Sequence, residues 1–123
     1  MKKIALVVGL AATLFATAAQ AMSVQEFLTA AARIPRNPTA LLRADTRRLM
    51  AEVRTASATL RSEREAAVAA GRRPAFCPPG GRASISADAL LARFNAIPTA
   101  RRNISVTQAM REWMAERHPC PSS

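Results

Sequence analysis

The sequence predicts an all-α fold, a small bundle of three to five helices in a single domain. Three observations predict it. Segments with apolar residues at helical spacing are separated by proline-marked breaks, two of these segments begin with a helix capping box, and no segment shows the period-two alternation of a strand. A mature chain of about 100 residues can bury only a small core, so a disulfide between its two cysteines would add to its stability.

The first 21 residues have the pattern of a secretory signal peptide. Two lysines give a positive start, an apolar run extends from Ile4 to Ala19, and Ala19-Gln20-Ala21 matches the small-x-small pattern of a cleavage site. We therefore expect cleavage after Ala21, export to the periplasm and one mature domain over residues 22–123. The alternative is an uncleaved anchor in the inner membrane, although the apolar run is short for a bilayer span.

A first helix is predicted from Val24 to about Arg33. Ser23-Val24-Gln25-Glu26 is a capping box, in which the first and last side chains each accept a hydrogen bond from the other residue's backbone N–H. Ile34-Pro35 ends this helix, because proline lacks an N–H donor and disfavours the α conformation in the residue before it.

The longest periodic segment follows, from about Thr39 to Ala70, with Gly71 as a predicted C-cap glycine. Asp45-Thr46 could instead cap a new helix and break the segment near Arg43, and the sequence leaves this open. At 100° per residue, six apolar residues of the segment share one stripe. They are Leu42, Leu49, Val53, Ala56, Leu60 and Ala67.

Four arginines of the same segment, which we name the arginine row, form a second stripe about 120° around the helix from the apolar one. They are Arg43, Arg47, Arg54 and Arg61. Glu52 and Glu63 take the far side of the helix.

Residues 72–83 are predicted to be non-helical, because they contain three prolines and two glycines. A third helix then begins at Ser84 or Ser86 and ends at Ile97-Pro98. Its residues spaced for burial are Leu90, Leu91 and Phe94.

A second capping box, Ser105-Val106-Thr107-Gln108, begins a fourth helix that stops at His118-Pro119. We expect the tryptophan of this helix to lie in the core, on one face with three other apolar residues. The members of this face are Val106, Ala109, Met110 and Trp113.

Cys77 and Cys120 are an even pair in a chain with an export signal, which predicts a structural disulfide. The bridge would close the hairpin of the last two helices and contribute about 4 kcal/mol by the chain-entropy estimate. A redox-active pair, the alternative, is typically spaced Cys-x-x-Cys.

The remaining composition indicates binding and not catalysis. The eight acidic residues form no convincing acid–base pair, and no glycine-rich phosphate loop or nucleophile elbow is present. His118 is the only histidine, and we expect it to interact with the carbonyl end of its helix. A Cys–His nucleophile would need Cys120 reduced, and a metal site would lack further ligands. We therefore expect no enzyme activity, no metal and no cofactor.

The net charge of the mature chain limits the classes of partner that it would bind. Without the two leader lysines, the formal net charge of +10 falls to about +8, carried by arginines. A basic balance of this size often indicates a nucleic-acid partner, but the predicted export argues against one, because the periplasm contains little DNA or RNA. Lipid phosphates, anionic glycans and acidic protein surfaces remain, because guanidinium binds carboxylate and phosphate bidentately. The alternative is a purely solvated basic surface.

The second half of the chain resembles a known family. Ala75-Phe76-Cys77-Pro78-Pro79, a helix ending in Ala96-Ile97-Pro98 and a helix ending in His118-Pro119-Cys120-Pro121 are similar to the Tai/Rap family of periplasmic immunity proteins. The match covers residues 75–121. The resemblance implies a small, exported, helical and often dimeric protein that occupies the cleft of a peptidoglycan amidase delivered by type VI secretion.

These observations favour an exported protein that binds another protein, either an immunity-type inhibitor or a relative that has lost that role. One alternative is a housekeeping periplasmic relative of unknown role. The rival hypothesis is a basic envelope-surface protein that binds anionic lipid or glycan through the arginine row. For a protein partner, we expect Arg101 and Arg102 to project from a rigid connector and to tolerate substitution without loss of stability. The arginine row is the other candidate surface.

Overall fold

The computed structural model describes residues 21–121, so the predicted leader lies outside the described residues except for Ala21. The described chain is all-α, which confirms the predicted fold class. Its helices are α1 (Val24–Ala32), α2 (Ala44–Ala69), α3 (Ala87–Asn95) and α4 (Val106–Arg117), and its short 3₁₀ turns are Pro38–Leu42, Pro79–Gly81 and Thr99–Arg101. Within residues 21–121, no helix has the length and apolar character needed to cross a membrane.

The predicted capping box of α1 is present in full. The Ser23 hydroxyl accepts a hydrogen bond from the Glu26 backbone N–H at 3.1 Å, and the Glu26 carboxylate accepts one from the Ser23 backbone N–H at 3.1 Å. The helix ends at Ala32, before Ile34-Pro35. Both boundaries therefore follow from local sequence.

The segment predicted from Thr39 is broken at Arg43, which settles the question that the sequence left open. Arg43 is extended, with φ −80° and ψ 138°, and separates the 3₁₀ turn from α2. Asp45 does not cap α2 with its side chain. It lies in the first turn of the helix, where the helix dipole stabilises a negative charge. Leu42, predicted to be buried, is instead 77% exposed because it precedes the break and is out of register with the stripe of α2.

The remaining apolar stripe of α2 lies in the core as predicted. Leu49, Ala56, Leu60 and Ala67 are buried, and Val53 is half-buried against them. The helix ends in a Schellman motif, in which Gly71 adopts φ +69°. The Gly71 N–H donates to the Val68 carbonyl at 3.1 Å and the Arg72 N–H to the Ala67 carbonyl at 2.8 Å.

Serine caps begin both C-terminal helices. Ser86, and not Ser84, caps α3 by accepting from the Ala89 N–H at 3.2 Å. Ser105 caps α4 by accepting from the Gln108 N–H at 3.0 Å. The second half of the predicted capping box is not formed, because the Gln108 side-chain oxygen accepts a hydrogen bond from Arg111 instead.

The core lies between α2 and the other three helices, and α2 packs most extensively along α4. Phe27 of α1 meets Phe94 of α3 edge to face, with ring centroids 5.3 Å apart. Trp113 is 7% exposed, which confirms its prediction as a core residue. Other core members are Val24, Leu60, Leu90, Ile97, Val106, Met110 and Met114.

The predicted disulfide joins Cys77 to Cys120, with their Cα atoms 4.8 Å apart. It closes the segment that contains α3 and α4. The Cys77 N–H donates to the His118 carbonyl at 2.8 Å, so the loop and the end of α4 are also joined through the backbone. Arg73 adds a hydrogen bond from its guanidinium to the Cys120 carbonyl at 2.5 Å.

Candidate partner-binding surface

The two connector arginines have different roles. Arg101 is exposed and forms an ion pair with Glu112, with Nη2 and Oε1 2.9 Å apart. Arg102 turns toward the protein: its Nε donates to the Ile97 carbonyl and its Nη2 to the Asn95 carbonyl, both at 3.0 Å. The Arg102 guanidinium therefore caps the C-terminal end of α3. This corrects the expectation that the Arg101 and Arg102 side chains both project toward a partner.

The arginine row is the larger exposed cationic surface. Arg47, Arg54 and Arg61 are all exposed on α2, and none of them forms an ion pair within residues 21–121. The fourteen residue steps from Arg47 to Arg61 span about 21 Å of helix. Arg43 lies just before α2 and donates to the Arg33 carbonyl at 3.4 Å. The structure thus keeps three members of the row on one helix and places the fourth at its end.

The ion pairs found within residues 21–121 are formed by arginines outside the arginine row. They join Arg93 to Glu116, Arg101 to Glu112 and Arg111 to Glu63. On α2 itself, Glu65 lies four residues after Arg61 and partly offsets the charge at that end of the row. The strongest positive field is therefore expected around Arg47 and Arg54.

An apolar groove of about 580 Å³ lies beside the row, between α1, α2 and the start of α3. Buried Phe27, Leu49 and Leu90 contribute to its lining, and half-buried residues such as Ile34 extend it toward solvent. Met50 of α2, 45% exposed, also lines it. No sequence pattern predicts this groove, because it forms only where three helices meet.

A second cleft, of about 620 Å³, lies between α2 and the loop that carries the first cysteine. Arg64 occupies a structural position there: its Nη2 donates to the Gly81 carbonyl at 3.1 Å, and its guanidinium carbon lies 6.0 Å from the centre of the Phe76 ring. This arginine joins the loop to α2, and a cation–π contact of this kind stabilises a structure by about 0.5–1 kcal/mol when exposed.

The titratable and sulfur-containing groups of residues 21–121 do not gather into a metal-ligand cluster of three or more. Both cysteines are in the bridge, so neither thiol is available as a nucleophile. His118 is the C-cap residue of α4, which confirms its predicted place at a helix end. The described surface can therefore bind a ligand through ionic and apolar contacts.

No family model matches the chain, and comparison with curated proteins and with solved structures found no significant match.

Proposed function

We propose that this chain is an exported, non-enzymatic protein that binds the acidic surface of another protein. The observation that carries the proposal is the arginine row. Its exposed guanidinium groups form no ion pair within residues 21–121. Guanidinium binds carboxylate bidentately and is enriched among the residues that dominate interface energies. Carboxylates of a partner would supply the acceptors for these donors.

The position of the row on a packed helix favours binding. The opposite side of α2 is buried through Leu49, Ala56 and Leu60, and the helix packs along α4. Side chains on a packed helix lose less conformational freedom on association than those on a loop. The N-terminal part of the row, around Arg47 and Arg54, has a positive field. Two copies of this chain would therefore repel each other if they met through it.

The resemblance of residues 75–121 to periplasmic immunity proteins supports the protein-binding class and suggests an amidase-type effector as the partner. The features that carry the resemblance are Cys77-Pro78, the helix that closes at Pro98 and the final Pro119-Cys120. An immunity role predicts a neighbouring gene for a hydrolase with a cysteine nucleophile. A solitary gene would favour a housekeeping role in the periplasm.

A second candidate function is attachment to an anionic lipid or glycan surface. It is favoured by Leu41 and Leu42, which are 71% and 77% exposed at the 3₁₀ turn directly before Arg43. Such attachment weakens with salt, because the Debye length falls from about 10 Å at 0.1 M to about 3 Å at 1 M. Co-sedimentation with anionic vesicles at both salt concentrations tests it, and negligible binding at both would exclude it.

The proposed function is tested by affinity capture from periplasmic extract. We compare the wild-type protein with Arg47→Gln/Arg54→Gln and with a control, Arg72→Gln/Arg82→Gln, whose arginines are also exposed but lie outside the row. The row variant should recover about tenfold less of the captured partner, as expected for the loss of interface arginines. Equal recovery by the row and control variants would contradict the proposal.

A further inference from the structure

We propose that the apolar groove between α1, α2 and α3 docks an acidic amphipathic helix of the partner, with its carboxylates on the arginine row. This inference rests on the proposed function and specifies the chemistry of the partner. The apolar side of the helix would enter the groove. Its flanking acidic residues would pair with Arg47 and Arg54 on the adjacent surface of α2.

The groove provides a suitable apolar surface. Phe27, Leu49 and Leu90 are buried within its lining, and Ile34 and Leu91 are half-buried. Its volume of about 580 Å³ is large enough to take several side chains. An amphipathic helix presents such side chains at positions i, i+3, i+4 and i+7. The groove therefore matches one face of a partner helix.

Charge complementarity identifies that helix as acidic. Met50 in the groove lining is three residues after Arg47 and four residues before Arg54, so these three side chains are neighbours on the surface of α2. Arg36 also lines the groove, on the α1 side, and Asp88 is its one acidic lining residue. A helix seated in the groove would thus have arginines near it on both sides.

The shape of the groove favours a helix over a membrane. Phe27, Leu49 and Leu90 are 3%, 6% and 4% exposed, so only a convex ligand that enters the groove can reach the surface they form. The protruding leucines of the chain, Leu41 and Leu42, are not among the groove residues. A bilayer surface would contact those leucines and leave the groove unfilled.

The test uses a fluorescent synthetic peptide with leucine on one helical face and glutamate on the other. Its binding to the purified protein, with the disulfide intact, is followed by fluorescence anisotropy. Met50→Ser should weaken binding by about tenfold, as for an interface anchor. Val68→Ser is the matched control, since Val68 is also an exposed apolar residue of α2 but lies outside the groove. It should leave binding unchanged.

A second variant fills the groove without removing a contact of the fold. Ala87 is exposed, begins α3 and lines the groove, so Ala87→Trp should block the peptide while circular dichroism shows unchanged helicity. A scrambled peptide of the same composition should not bind.

Three results would overturn the inference. The first is peptide binding that is weakened by Arg47→Gln/Arg54→Gln but not by Met50→Ser or Ala87→Trp. This result would leave the proposed function resting on ionic contact alone. The second is absence of peptide binding by a protein that still captures its partner through the row. The third is binding to phosphatidylglycerol vesicles without binding to the peptide, which would replace the protein partner with a membrane and contradict the proposed function as well.

Discussion

Replacement of Arg102 by methionine is predicted to destabilise the protein by about 2 kcal/mol, because it removes both hydrogen bonds of the guanidinium. These bonds reach the Ile97 and Asn95 carbonyls at 3.0 Å each. A hydrogen bond to a charged group contributes about 1.5–3 kcal/mol. Since Asn95 is exposed, its carbonyl would regain water, and we count mainly the bond to Ile97.

The matched control is Arg101→Met, one residue earlier in the same connector. Arg101 pairs with Glu112, but its side chain is 55% exposed. Exposed ion pairs of this kind contribute about 0.2–1 kcal/mol.

Thermal unfolding followed by circular dichroism separates the two variants. A loss of 1 kcal/mol lowers the midpoint by about 4–8 °C in a domain of this size. Arg102→Met should therefore lower it by roughly 8–16 °C, and Arg101→Met by only a few degrees. Equal midpoints for the two variants would refute the structural role assigned to Arg102.

Three further predictions concern stability and are checked by urea unfolding. Replacing Cys77 and Cys120 together by serine should cost about 4 kcal/mol, because the bridge closes a segment with a sequence separation of 43 residues; an unchanged midpoint would contradict this. Trp113→Ala should cost about 3–5 kcal/mol through a cavity in the core, and a cost below that of the exposed Arg101 change would place the side chain outside it. Gly71→Ala should cost about 1–2 kcal/mol, because its φ of +69° is strained for an L side chain although no atom lies within 4 Å of the added Cβ; a neutral result would refute that assignment.

Local sequence was sufficient to predict most of the fold. The capping residues Ser23 and Ser105 and the C-terminal Gly71 begin or end helices as predicted, because each acts on the backbone within a few residues of itself. The disulfide was predicted because the sequence has only two cysteines, and both follow a predicted export signal. The burial of Trp113 was predicted from the helical spacing of its apolar neighbours.

Features that depend on tertiary placement were not predictable in this way. Leu42 fits the stripe of α2 by spacing, yet the break at Arg43 removes it from the core. Arg102 looks like a surface residue in the sequence, but the return of the chain after α3 brings it to the carbonyls of that helix. The groove at Met50 requires three helices to meet, and no single segment encodes it.

The proposed binding of a partner protein through the arginine row is tested most directly by site-specific photo-crosslinking in the periplasm, the compartment that the sequence predicts. A crosslinking amino acid is placed at Ala58, which is exposed on α2 between Arg54 and Arg61, and separately at Ala100, which is exposed beside Arg101. We predict that Ala58 crosslinks to one partner protein and that Ala100 does not. Crosslinking of a partner from Ala100 alone would contradict the account and place the interface on the connector.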